Sequence, residues 1–324
     1  MCKQEINMDS LVSIDLLKPL TKLIEVVANA IGVKYEPQRL VNIAKAEAQA
    51  ERIKAVERAK TNAILAQDME QYDQLSMIET RVLLMEQKRQ TNINNVVRVA
   101  AQSLEEEKSV SSEPVNPDWA TRFFDIVQDI SDETMQDLWG RVLAGEIKCP
   151  KSYSLRTLDV LRNITCEEAR LFEKVANYVM YDRSHFVYYD PSFRENDKIE
   201  LTYEEIAKLT EIGLIQAGGG LVHSHLHNKE GKTIINAMAY ANYVLLIEQP
   251  STYQEISFPI YPLTKAGAEI FPLIKVTPND EYLKAYANRL KKDYKNLKVS
   301  YAQLISIDYE NDEYTFADET IQQL

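Results

Sequence analysis

A mainly α protein is the fold class this sequence predicts: a long alanine-rich helical arm, a compact helical core and a C-terminal winged-helix-like α+β domain. Three observations predict it. Only 9 of the 324 residues are glycine, and few glycines mean few tight turns and many long regular elements. No proline or glycine interrupts residues 38–107. A helix of roughly seventy residues, on the order of 100 Å at 1.5 Å per residue, can form there. Beyond Tyr181 the texture changes, with β-prone runs set between short helical signals.

Residues 1–35 form an amphipathic segment in which Leu11, Ile14, Leu17, Leu20, Val27 and Ile31 recur near helical spacing. Pro19 predicts two short helices or one kinked helix. Such a segment docks on its own protein or a sister subunit, or lies at a membrane surface through residues 8–33. Residues 36–110 are the arm. Its first half keeps a small-residue stripe that includes Ala44, Ala48, Ala55 and Ala59; its second half carries larger knobs at Leu75, Ile78, Val82 and Met85. A solvated helix of that length is not stable on propensity alone. It folds back as a hairpin or pairs as a coiled coil, and in either case homo-oligomerisation through these residues is the expectation.

Residues 111–182 read as a compact all-α core. Asp118 and Ser131-Asp132-Glu133 are candidate helix caps, Gly145 is a candidate helix end, and Thr165-Cys166-Glu167-Glu168 is a capping box. Arg141, Glu146 and Arg156 are the polar residues to watch, with Arg141 and Glu146 a plausible buried or half-buried pair. No histidine and no evident nucleophile accompanies them, so no catalytic residue is assigned.

The stretch Asn116-Pro117-Asp118-Trp119, Leu138-Trp139-Gly140-Arg141, Leu143-Ala144-Gly145-Glu146 and Ser154-Leu155-Arg156-Thr157-Leu158 resembles the core of a bacterial family known as domain of unknown function 2806. Leu20-Thr21-Lys22-Leu23-Ile24 and Lys45-Ala46-Glu47-Ala48 are similar to its amino-terminal part. The resemblance implies a cytoplasmic bacterial or phage-associated protein with no assigned catalytic residues. The amphipathic start, alanine-rich helix and helical core also look loosely like abortive-infection proteins of the alpha type, which hints at phage defence.

Residues 183–300 read as the winged-helix-like domain. Thr202–Leu209 is a helix leading to Gly213-Leu214-Ile215, Leu263–Ile270 carries a leucine-threonine-x-x-glycine pattern, and Tyr243–Ile247 is β-prone. His223, His225 and His227 alternate after a triple glycine and are candidate zinc ligands, although strand neighbours about 7 Å apart suit a tetrahedral site poorly. The run Lys284, Arg289, Lys291, Lys292, Lys295 and Lys298 reads as a solvated helix face. Residues 301–324 are an acidic tail or short strand.

The formal net charge of −12 argues against broad nucleic-acid affinity. Cys2, Cys149 and Cys166 form no CxxC pair, no apolar run reaches 18 residues, and a reducing cytoplasm is expected. No cofactor is expected. The functional expectation is a non-enzymatic, oligomeric interaction or sensor protein. The alternatives are a membrane-active effector using residues 8–33 and a winged-helix DNA-binding regulator.

Overall fold

The computed structural model describes residues 8–32, 74–105, 107, 109–196, 198–217, 221–225, 234–249, 256–294, 296–309 and 311–324. The chain divides into two compact units, Met1–Leu158 and Asp159–Leu324.

The described part of the first unit is helical. Helix α1 (Met8–Ile31) runs through Pro19 as one element. Leu20, Leu23, Val26 and Val27 are buried along it, and burial of such a stripe outweighs the one backbone bond that proline removes. Helix α2 (Gln74–Glu105) buries Ile93, Val96, Val97, Ala100 and Leu104. Helix α3 (Pro117–Val127) starts at Asn116, whose side chain accepts from the N–H groups of Asp118 and Trp119. Asn116, not Asp118, is therefore the cap, because Pro117 takes the first helical position, where no N–H is needed. Helix α4 (Glu133–Lys148) begins at the Asp132 cap and continues past Gly145. Gly145 does not end the helix; it makes room for Tyr153, whose hydroxyl would lie 2.7 Å from an added Cβ. Trp139, Phe123, Val142, Leu143 and Ile147 close the core at zero exposure.

The arm expected over 36–110 is corrected here. Residues 33–73, with Ala44, Ala48, Ala55 and Ala59, lie outside the described residues. The described part, α2, is a core element packed along α4. Its contact with α4 is close because Gly140 faces Val99: a Cβ on Gly140 would sit 2.4 Å from that of Val99.

The second unit overturns the mainly α, winged-helix assignment. It contains an eight-stranded sheet in the order β3–β6–β2–β1–β4–β5–β7–β8, and all its pairings are antiparallel. The strands are β1 (Val179–Asp182), β2 (Ser184–Val187), β3 (Leu221–His225), β4 (Ile234–Tyr240), β5 (Tyr243–Gln249), β6 (Ile256–Pro262), β7 (Lys298–Asp308) and β8 (Glu313–Gln323). Helix α5 (Leu155–Asn163) spans the division between units, and α6 (Cys166–Ala176), α7 (Tyr203–Glu211), α8 (Lys265–Ile270) and α9 (Asp280–Asp293) follow. The capping boxes at Thr165 and Thr202 set the starts of α6 and α7.

The two segments that suggested a winged helix do interlock. The Thr264 hydroxyl donates to the Gly213 carbonyl at 2.6 Å, and a Cβ on Gly267 would lie 2.2 Å from the Leu214 carbonyl oxygen. The strands between and after them, however, join one broad sheet in place of a two-stranded wing. The acidic end is strand β8, paired with β7 over most of its length. Aromatic residues build the core: Tyr188, Tyr240, Tyr282, Tyr286 and Phe186 are essentially fully buried. The Tyr282 hydroxyl donates to the Tyr188 carbonyl at 2.9 Å and accepts the Tyr188 N–H at 3.1 Å, joining α9 to the residue after β2.

Candidate functional site

The three polar residues singled out in the helical unit fall in three environments. Glu146 is 1% exposed. Its carboxylate accepts the backbone N–H of Lys151 at 2.7 Å and of Tyr153 at 3.1 Å. It thereby holds the turn after α4, where Lys151 takes a left-handed φ of 75°. Arg141 is half-exposed and pairs with Asp137 one turn back at 3.0 Å. Arg156 lies exposed on α5.

A second polar feature was not legible in the sequence. The Lys22 ammonium donates to the carbonyls of Ser111, Glu113 and Ile147 at 2.8, 2.7 and 3.0 Å. Burial pulls its pKa below the ordinary lysine value, opposed by the charges of Glu113 and Glu146. Lys22 is thus a structural clamp from α1 to the 111–113 segment and α4. The Gln136 amide donates to Asn92 Oδ1 at 3.2 Å and to the Ile130 carbonyl at 2.8 Å, and Gln136 Oε1 accepts from Asn95. Both Asn92 and Gln136 are buried, so these bonds fix the register of α2 on α4.

The assembly residues that are described lie on the first turns of α2, and they are open. Ile78 is 57% exposed, Val82 53% and Met85 41%, with Leu83 and Leu84 beside them at 60% and 41%. The side chain of Leu75 lies outside the described residues. Five large apolar side chains within eight residues make α2 apolar around much of its girth there. A helix of that kind is stable in water only when other surfaces cover it.

In the sheet unit, His223 and His225 sit on β3, at register positions opposite Phe258 and Ile256 of β6. Their side chains, and all of His227, lie outside the described residues. No group of three histidine, cysteine or carboxylate side chains that could hold a metal occurs among the described residues. The histidine that sequence reasoning passed over is His185 of β2. Its ring lies 4.9 Å from Tyr181, 4.9 Å from Phe271 and 6.5 Å from Tyr309, centroid to centroid. It faces a cavity of about 440 Å³ bounded by β1, β2, the β4–β5 turn, the segment after α8 and the end of β7. Its place next to Phe186 in a β-prone run was the available signal.

Burial lowers the His185 pKa from 6.5 to about 4, because a desolvated imidazolium is costly. The folded value lies below the unfolded one, so the unfolded chain takes up a proton first as the solution is acidified. The stability linked to the neutral ring is complete above about pH 6.5 and is lost as pH falls toward about 4, by at most about 3 kcal/mol. His185→Phe is expected to flatten the stability curve across that window relative to the wild type. Urea melts followed by far-UV circular dichroism between pH 4 and 7 check it.

Three residues of the basic run on and after α9 form ion pairs, and Lys295 lies outside the described residues. Lys284 meets Glu281 at 3.3 Å, Arg289 meets Asp190 at 3.3 Å and Asp293 at 2.7 Å, and Lys298 meets Glu248 at 2.8 Å. Burial opposes the Asp190 charge, but the Ser192 hydroxyl and N–H together with Arg289 hold its carboxyl below the usual range. No helix among the described residues is long and apolar enough to cross a membrane.

No curated protein and no solved structure matches this chain. One family model does, over residues 77–287, from the open face of α2 to α9. The match spans well over half of the chain, and the chain therefore belongs to the family described as protein of unknown function (DUF2806).

Proposed function

We propose that this protein is a non-enzymatic, oligomeric interaction or sensor protein whose copies associate through the first turns of α2. The observation that carries this reading is the exposed apolar segment Ile78–Met85 on a helix whose later turns are buried core. Ile78, Val82 and Met85 stand at i, i+4 and i+7 and form one stripe. Arg81 and Glu86, both exposed, flank that stripe on opposite sides, five residues apart. When the same helix from two copies packs side by side and parallel, Arg81 of one copy comes beside Glu86 of the other. The two-fold operation repeats the contact, so the surface is complementary to itself. This charge pattern favours a second copy as the occupant.

Light scattering on the full chain is expected to return a multiple of 37.2 kDa. The pair Val82→Glu and Met85→Glu should weaken association by at least about 100-fold, since two central apolar contacts are replaced by charge. The circular dichroism of the variant should be unchanged, because neither side chain is in the core. Arg81→Glu alone should weaken association and Arg81→Glu with Glu86→Arg should restore it. A wild-type monomer at micromolar concentration would overturn the reading.

A further inference from the structure

The cavity at His185 is independent of the α2 face and has the features of a ligand site. Its walls are mostly apolar: Val179 of β1, Ala239 of β4, Ile274 and Val276 after α8, and Ile307 of β7 line it, with Asn242 of the β4–β5 turn as a polar side chain at its border. Its volume of about 440 Å³ is within the range of pockets that take small molecules. One side is a ladder of rings, in which Tyr309 meets Tyr181 edge-on at 4.9 Å and 80°, Tyr181 meets His185, and His185 meets Phe271. Tyr309, at 59% exposure, forms the outer rung.

Polar groups enter this apolar space at few points. The Tyr181 hydroxyl is already directed to Asp312 at 3.4 Å. Asp312 is in turn held by Arg183 at 3.5 Å, so neither charge is offered to the cavity unpaired. No hydrogen-bond partner for the His185 ring nitrogens lies among the described residues. An imidazole in its neutral form has one donor and one acceptor nitrogen. Such a group in an apolar pocket is the kind of isolated polar point that fixes a ligand's orientation.

We propose that this cavity binds a neutral planar aromatic group, of the indole or phenol type, stacked on the ring ladder and hydrogen-bonded to His185. Planarity follows from the rings, which favour offset or edge contact with a further ring. Neutrality follows from the walls: an anion or a cation would be desolvated among apolar side chains with no opposite charge free to meet it. A hydrogen-bonding atom on the ligand follows from the His185 ring nitrogens, beside which Asn242 and the outer ring Tyr309 are further polar lining residues.

The test uses the full chain with ring-labelled histidine, titrated by NMR with indole, toluene, benzoate and benzylamine. His185→Phe identifies the His185 resonances by their loss. Indole is expected to move those resonances saturably, with benzoate and benzylamine binding at least about tenfold more weakly, since burying an unpaired charge costs more than the 1.4 kcal/mol that a factor of ten represents. The His185→Phe protein, followed through labelled methionine methyl signals including that of Met180, should lose indole affinity about tenfold and keep its toluene affinity, because stacking survives and one hydrogen bond does not. Ala239→Leu, which fills the cavity, should abolish both. If Ala239→Leu does not fold, the wild-type probe series decides alone. No saturable indole shift at His185, or charged probes binding as well as indole, would overturn the proposal.

Discussion

Gly140→Ala is expected to destabilise the helical unit by about 3 kcal/mol, although alanine is the better helix former by about 1 kcal/mol. The added Cβ would lie 2.4 Å from Val99 Cβ, 2.5 Å from its Cγ1 and 3.0 Å from the Val96 carbonyl oxygen. None of these atoms is the free end of a flexible chain, so α2 and α4 must move apart. That separation would loosen the Asn92–Gln136 bonds and the packing of Val96, Val97 and Trp139 together. Both tryptophans of the chain, Trp119 and Trp139, lie in this unit, so urea melts followed by tryptophan emission report on it selectively. A loss of about 3 kcal/mol corresponds to a thermal midpoint lower by roughly 6 to 12 °C for a unit of this size. The cause is separable from general damage. Val99→Gly removes the clashing Cβ and should recover part of the loss in the double variant, whereas Val99→Ala keeps that Cβ and should not. A Gly140→Ala protein as stable as the wild type would show that α2 and α4 do not pack this closely.

The second large effect is expected at Glu146. Glu146→Ala strands the N–H groups of Lys151 and Tyr153 and leaves a void beside Lys22, at a cost of about 3 to 4 kcal/mol. Glu146→Gln keeps the volume and one acceptor oxygen but turns an amide donor toward one of those N–H groups, and should cost about 2 kcal/mol. Lys151→Gly offers a control. At φ 75° glycine carries no steric penalty, so it should offset about 1 kcal/mol of the Glu146→Gln loss. The same tryptophan-monitored melts rank the three proteins. Equal stability of Glu146→Ala and wild type would remove Glu146 as the anchor of that turn.

These two sites differ in how far the sequence disclosed them. Glu146 stood out as a polar residue in the stretch that follows Trp139, but its expected companions did not share its burial: Arg141 is half-exposed and Arg156 is exposed. A periodicity argument places a residue on a face; it does not say how deep that face lies. Gly140 was read as part of a motif and Gly145 as a helix end. Their shared role, letting Val99 and Tyr153 approach, depends on partners about forty and eight residues away in sequence. In the sequence Lys22 stands only within the family-like run Leu20-Thr21-Lys22-Leu23-Ile24, and the fold alone shows its ammonium enclosed by three carbonyls.

By itself the sequence determined the features that act over three or four residues. The Thr165 capping box, the Asp132 cap and the helical spacing of the apolar knobs of α2 were readable, because the residues that define each sit within about one turn of one another. Membership of the family was readable too, since it rests on motifs spaced along the chain. Only the tertiary structure decided that β-prone runs from Val179 to Gln323 form one sheet. Strand partners are chosen across long stretches of chain, as when β6 joins β2 and β7 joins β5, and a strand's local pattern does not name its neighbour. The same reason hid the ring ladder around His185. Its members come from β1, β2, the end of α8 and the end of β7, and they become one site only when the sheet brings them together.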